Sequence, residues 1–213
     1  MKEFFSHVPG DSGLAYVVVV HLSPEHKSVL ADVLQPHVKI PVTQVQNHVF
    51  IEKDHVYVIP PNANLNTIDT HLRLSDLEEK RSQRAPIDHF FRTLAVTHGQ
   101  DAAGIILTGT GSDGSLGMKD IKEKGGITLV QDPEEAEYDG MPQSAISTGL
   151  VDKVLRLGEL PTYLMSYFGT TPILKTLETG RADSKENKLL NKVLAKVKAR
   201  TGRDFSQYKS STL

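Results

Sequence analysis

Unbroken β-branched runs alternate with stripes at helical spacing through most of this chain. The run Leu14-Ala15-Tyr16-Val17-Val18-Val19-Val20 has no polar interruption, which fits a central strand covered on both faces, as in a parallel sheet. After His21-Leu22-Ser23-Pro24, residues 25–35 place Val29, Leu30, Val33 and Leu34 at helical spacing and end at Pro36. Val56-Tyr57-Val58-Ile59, closed by Pro60-Pro61, and the shorter His71-Leu72-Arg73-Leu74 read as further strands, with an asparagine-rich turn between them. Pro86 opens a helix to about residue 97 with Ile87, Phe90, Phe91 and Leu94 on one stripe, and residues 102–107 form the next buried strand.

A helix over residues 113–124, stopped by Gly125-Gly126, leads into Ile127-Thr128-Leu129-Val130. That order predicts a right-handed β-α-β unit, and with it an α/β fold: a doubly wound, mostly parallel, Rossmann-like sheet with a C-terminal helical extension. Asp139-Gly140-Met141-Pro142 turns into a short helix, residues 151–155 form a strand, and residues 160–168 a closing helix. Residues 169–184 mix Pro, Gly, Thr and charge without a sustained period and read as a linker. The expected division is therefore 1–168, a linker over 169–185, and a lysine-rich helical segment over 186–213 that carries Leu189, Leu190, Val193, Leu194 and Val197.

Composition narrows the function. A length of 213 residues with 38% hydrophobic content allows one substantial core plus an appendage. A formal charge of -2 supplies no pull toward nucleic acid or an anionic membrane, so neither is an expected partner. The absence of cysteine excludes disulfides, thiolate catalysis and cysteine-based metal sites, and a cytoplasmic protein without cofactor or metal is expected. The N-terminus has no apolar signal region, and no apolar run is long enough to span a bilayer.

Candidate chemistry concentrates where residues 102–107 empty into Thr108-Gly109-Thr110-Gly111-Ser112-Asp113-Gly114. Such a glycine turn can hold an anion or aim an acid. As a dinucleotide fingerprint it would use Gly109, Gly111 and Gly114, with Asp132 on a ribose hydroxyl. Asp113 would then repel the pyrophosphate that the loop must attract. A plain helix N-cap is the structural reading of Asp113. His21 leaves the C-terminal end of the first long strand, the side on which open α/β sheets bind ligands. If the strands ending at Val20 and Leu107 are neighbours, His21 and Asp113 emerge together as the base and orienter of a nucleophilic hydrolase. A Gly-x-Ser-x-Gly elbow is absent. Ser23 shares a loop with His21, while Ser112 and Ser115 flank the acid and are expected to cap its helix.

Taken together, Tyr16-Val17-Val18-Val19-Val20-His21-Leu22-Ser23-Pro24, Val58-Ile59-Pro60-Pro61, the stretch from Gly104 through Gly114, and Gly140-Met141-Pro142 resemble the catalytic domain of chemotaxis protein-glutamate methylesterases of the CheB type, over about residues 2–168. The resemblance implies hydrolysis of glutamate methyl esters, and deamidation of certain glutamines, on the cytoplasmic domains of chemoreceptors by a Ser-His-Asp triad. His21 matches the family histidine, Asp113 its aspartate, and the Thr110 backbone amide an oxyanion donor that the family commonly carries on methionine. Val20 stands where many members have glutamine.

The family serine lies in a G-x-S-x-G-G turn after the first strand, and Phe4-Phe5-Ser6-His7-Val8-Pro9 resembles the end of the helix following that turn. The first strand and nucleophile turn are therefore expected to be missing, leaving this chain weakly active or inactive. The segment from Thr201 to Leu213 resembles the opening of the chemoreceptor methyltransferase N-terminal helical domain, implying a fused methyltransferase module. A non-catalytic receptor-binding or scaffold module is the alternative from a different class.

Overall fold

A computed structural model describes residues 1–21, 28–75 and 85–178. Residues Met1–Met165 form one unit and Ser166–Leu213 a second. The chain runs through α1 (Lys2–Ser6), β1 (Ala15–Val18), α2 (Leu30–Leu34), β2 (Val42–Gln44), β3 (His48–Phe50), β4 (His55–Val58), β5 (Asn64–Ile68) and β6 (His71–Ser75). It continues through α3 (Pro86–His98), β7 (Ala103–Ile106), α4 (Ser115–Glu123), β8 (Ile127–Gln131), α5 (Gly140–Ser147), β9 (Lys153–Leu155) and α6 (Leu160–Glu178).

Parallel pairing dominates, as the apolar runs predict. β1 and β2 flank β4 in one parallel sheet, and β7, β8 and β9 form a second with β8 at its centre. All of Ile127 to Gln131 in β8 is buried, which explains a run with no alternation. Helices flank these sheets in the doubly wound manner expected. The condition set for His21 and Asp113 to meet, adjacency of their strands, is not met by pairing: among the described residues β1 and β7 are not paired with each other, and each ends its own sheet. Adjacent β-strand pairing therefore is not what brings their loops together.

The third sheet, β3-β6-β5, is antiparallel, and the sequence reading missed most of it. Its asparagine-rich stretch is a strand and not a turn, because Leu65 and Thr67 are buried at 0% and 3% exposure while the asparagines alternate with them. Asn66 spends its side chain on the partner strand, donating to the Arg73 carbonyl and the Ser75 hydroxyl. Thr67 ties the sheet to α3 through the Thr93 and Thr97 hydroxyls at 3.2 and 2.7 Å.

Two further elements differ in extent. α2 starts only at Leu30, with residues 22–27 outside the described residues, and of its expected apolar face only Leu34 is buried; Val29 is 60% exposed. The five-residue helix presents about one turn to the sheet, too little to cover a full stripe. α6 continues to Glu178, through Gly169 and Pro172, where the sequence suggested a linker. The expected helix over 188–200 and the segment after it lie outside the described residues.

α3 and α4 lie against each other at their N-terminal ends, and small residues permit it. A Cβ on Gly117 would stand 2.6 Å from Phe91 Cβ and 3.0 Å from Asp88 Cα, and one on Gly114 would meet Ile106 and Ile87. At the other end of α4, Lys122 pairs with Asp152, whose carboxylate also accepts the Thr128 N–H and hydroxyl, both at 3.0 Å. Burial opposes ionisation of Asp152, yet the Lys122 ammonium and the Thr128 bonds outweigh it and hold its pKa below the usual carboxylate range.

Candidate active site

His21 follows β1 and Asp113 lies in the loop between β7 and α4, 92 positions apart in sequence. Their side chains meet: His21 Nε2 is 2.8 Å from Asp113 Oδ2. The imidazole is 52% exposed and the carboxylate only 10%, so the acid is sheltered and the ring is half open. A base and its orienter require such a contact, with one ring nitrogen held by the carboxylate.

Asp113 is held by the start of α3. Its Oδ2 also accepts the Ile87 N–H and its Oδ1 the Asp88 N–H, each at 3.0 Å. α3 begins at Pro86 after Ala85 and has no side-chain cap of its own, so its first free N–H groups need an acceptor from elsewhere. The helix N-terminus is also where a carboxylate is electrostatically welcome. Asp113 therefore does cap a helix, but not the one that follows it. The N-cap of α4 is Gly114, at φ 91°, without a side-chain bond.

Neither flanking serine caps α4 as expected. Ser115 donates its backbone N–H to the Ser112 carbonyl, while its hydroxyl is buried without a partner among the described residues. The shift is steric: Gly114 must take positive φ and fit against Ile106 and Ile87, which turns the chain out of a capping geometry. Ser23 lies outside the described residues.

The glycine loop is braced by Tyr138 just before α5 and by the first turns of α5 itself. Gly109 donates to the Tyr138 carbonyl at 2.9 Å and accepts the Met141 N–H at 2.8 Å, and the Gly111 carbonyl accepts the Ser144 hydroxyl at 3.1 Å. Beneath, the buried Gln131 side chain accepts the Thr108 N–H at 2.8 Å. Between these anchors Thr110 is exposed, and no hydrogen bond engages its N–H among the described residues. Met141 sits where a Gly109 side chain would be, so that glycine serves close packing, while Gly111 has open space around it and takes a positive φ of 87°. Asp132, the candidate ribose ligand, closes a local turn by accepting the Glu134 N–H at 3.0 Å.

Asp88 escaped the sequence reading. It is buried at 6% exposure, and its Oδ1 accepts the Gly117 N–H of α4 at 2.6 Å. Burial pushes its pKa up, the Gly117 bond opposes that, and the neighbouring Asp113 charge adds to it. The available signal was an aspartate in the first turn of a helix opened by proline after an alanine that cannot cap.

A profile of the CheB methylesterase family matches residues 1–164. An uncharacterized 104.1 kDa protein of Rhodobacter capsulatus is 36% identical over 148 residues, covering 70% of this chain and 15% of that protein. A protein-glutamate methylesterase/protein-glutamine glutaminase of Geobacter metallireducens is 33% identical over 171 residues, covering 78% of this chain and 47% of the relative. The crystal structure of the Thermotoga maritima CheB methylesterase catalytic domain superposes with a TM-score of 0.70 at 24% identity, over 78% of this chain and 90% of that one, and shows the shared fold. The chain spans less than half the length of both of these curated relatives. With the fold shared and the profile covering nearly all of the first unit, the chain belongs to the CheB methylesterase family.

Proposed function

We propose that this chain carries the base and the orienting acid of a Ser-His-Asp hydrolase that cleaves glutamate methyl esters, and deamidates glutamine, on the cytoplasmic domains of chemoreceptors. The observation that carries this reading is the 2.8 Å contact between Asp113 and the half-exposed His21 imidazole. In the reaction, a serine hydroxyl attacks the ester carbonyl carbon while His21 takes its proton. Asp113 holds the ring in one tautomer and balances the imidazolium. The Thr110 N–H donates to the oxyanion of the tetrahedral intermediate. Collapse breaks the C–O bond to methanol, which leaves with the proton returned from His21, and water then releases the acyl group by the same steps in reverse roles.

The serine itself belongs to an elbow this sequence lacks. Ser115 is unsuited, because its hydroxyl is buried. The strands that carry the pair, β1 and β7, each keep one edge without a paired neighbour among the described residues, which suits an additional parallel strand bearing a Gly-x-Ser-x-Gly turn. We assign residues 1–168 to this incomplete esterase domain, 169–185 to a linker whose first part, to Glu178, is the end of α6, and 186–213 to the start of a fused methyltransferase-type helical module in a cytoplasmic signalling protein.

A fluorophosphonate probe and a methyl-glutamate receptor peptide test the proposal. The chain as given is expected to show no labelled serine. Its hydrolysis should be about 10⁴- to 10⁶-fold slower than that of a version extended before Met1 by a strand and serine turn. In the extended version His21→Ala should abolish both labelling and turnover. Stoichiometric labelling of a serine in the chain as given, or an extended version indifferent to His21→Ala, would overturn it.

A further inference from the structure

We propose that Asp88 is a positioning residue for the His21–Asp113 pair, acting through a reciprocal exchange of caps between α3 and α4. The inference rests on the hydrolase reading for its purpose but on geometry for its content. Each helix lacks a side-chain cap from its own N-cap residue, Ala85 or Gly114, and each receives a carboxylate from the other's N-terminal region. Asp113, just before α4, accepts the Ile87 and Asp88 N–H groups of α3. Asp88, in the first turn of α3, accepts the Gly117 N–H of α4 at 2.6 Å.

Asp88 thus touches Asp113 twice over, directly by its own N–H and indirectly by fixing the helix that Asp113 introduces. The approach is close because Gly117 has no side chain: a Cβ there would be 3.1 Å from the Asp88 carbonyl oxygen. Among the described residues His21 has no comparable support. Its ring is half exposed, and Asp113 is its hydrogen-bond partner among the described residues, so its orientation inherits whatever precision Asp113 has. Removing the Asp88 carboxylate frees the Gly117 N–H, loosens the start of α4 against α3, and lets Asp113 Oδ2 leave the imidazole.

The state of the His21 ring tests this without any need for turnover, so absence of esterase activity leaves the result interpretable. Long-range ¹H–¹⁵N spectra of the full chain, recorded in alkali so that imidazoles are neutral, should show one tautomer for His21, with the proton on Nε2 facing Asp113. Asp88→Ala should replace it with a tautomer mixture. Asp88→Asn, which keeps a carbonyl acceptor for Gly117, should restore the single tautomer. Asp152→Ala, which removes the ties at the far end of α4, should lower stability yet leave the ring unchanged. If Asp88→Ala does not fold, Asp88→Glu, which displaces the carboxylate by one methylene, must still perturb the ring. An unperturbed ring in Asp88→Ala or Asp88→Glu, or an equal perturbation by Asp152→Ala, would overturn the proposal.

Discussion

Two carboxylates at the mouth of α3 and α4 have opposite environments despite their proximity. Asp113 faces an imidazole and accepts two backbone N–H groups, while Asp88 is buried and accepts Gly117. Because burial first, and the Asp113 charge after it, hold the Asp88 pKa above its ordinary value, the native state keeps this proton more tightly than the unfolded chain. The contribution to stability is then full below the ordinary carboxylate value and is lost as pH rises through the raised one. Asparagine imitates the protonated acid. Asp88→Asn is therefore expected to be more stable than the parent at neutral pH, with the difference vanishing in acid, as read from urea midpoints between about pH 3 and pH 8. A difference of the opposite sign, or one independent of pH, would refute this account. His21 and Asp113 could be singled out from position alone, since each leaves the C-terminal end of an apolar run. Asp88 could not, because its importance lies in an N–H of a helix that begins 27 residues later.

Elements were legible where their period was long and unbroken. α3, α4, β7 and β8 stand where the stripes and runs place them, and Pro86 and Gly125 mark ends as expected. The short strands β2, β3 and β5 were not legible: three to five residues of alternation are too few to stand out, and Asn64 and Asn66 look like turn residues until partner strands satisfy their backbone groups. The contact between α3 and α4 was equally hidden, since a glycine in a helix signals only a missing side chain. Gly117→Ala should lower unfolding free energy by about 1–3 kcal/mol, because the new methyl must displace Phe91 Cβ or the Asp88 backbone. Urea unfolding checks it, and a neutral or stabilising effect, as alanine in an exposed helix would give, would show that the two helices can part at no cost.

The first unit is organised around parallel sheets whose central strands, β4 and β8, are buried along nearly all of their length. Leu129, at 0% exposure in the middle of β8, should cost about 2–5 kcal/mol when replaced by alanine. Val154 in the neighbouring β9 is 43% exposed, and its alanine variant should stay within about 0.5 kcal/mol of the parent. Comparable losses at the two positions would mean that β8 is not the core strand described. No described helix is long and apolar enough to cross a membrane, in keeping with apolar runs of strand length. By itself the amino-acid order determined the α/β class, the places of the long elements and the two loops from which His21 and Asp113 emerge, because periodicity and glycine turns are local properties. Folding in three dimensions decided that these loops meet although β1 and β7 are unpaired, and that the acid is aimed by a different helix from the one it precedes. Those outcomes depend on which backbone N–H groups lack acceptors once the elements pack, and that is a property of the assembled core.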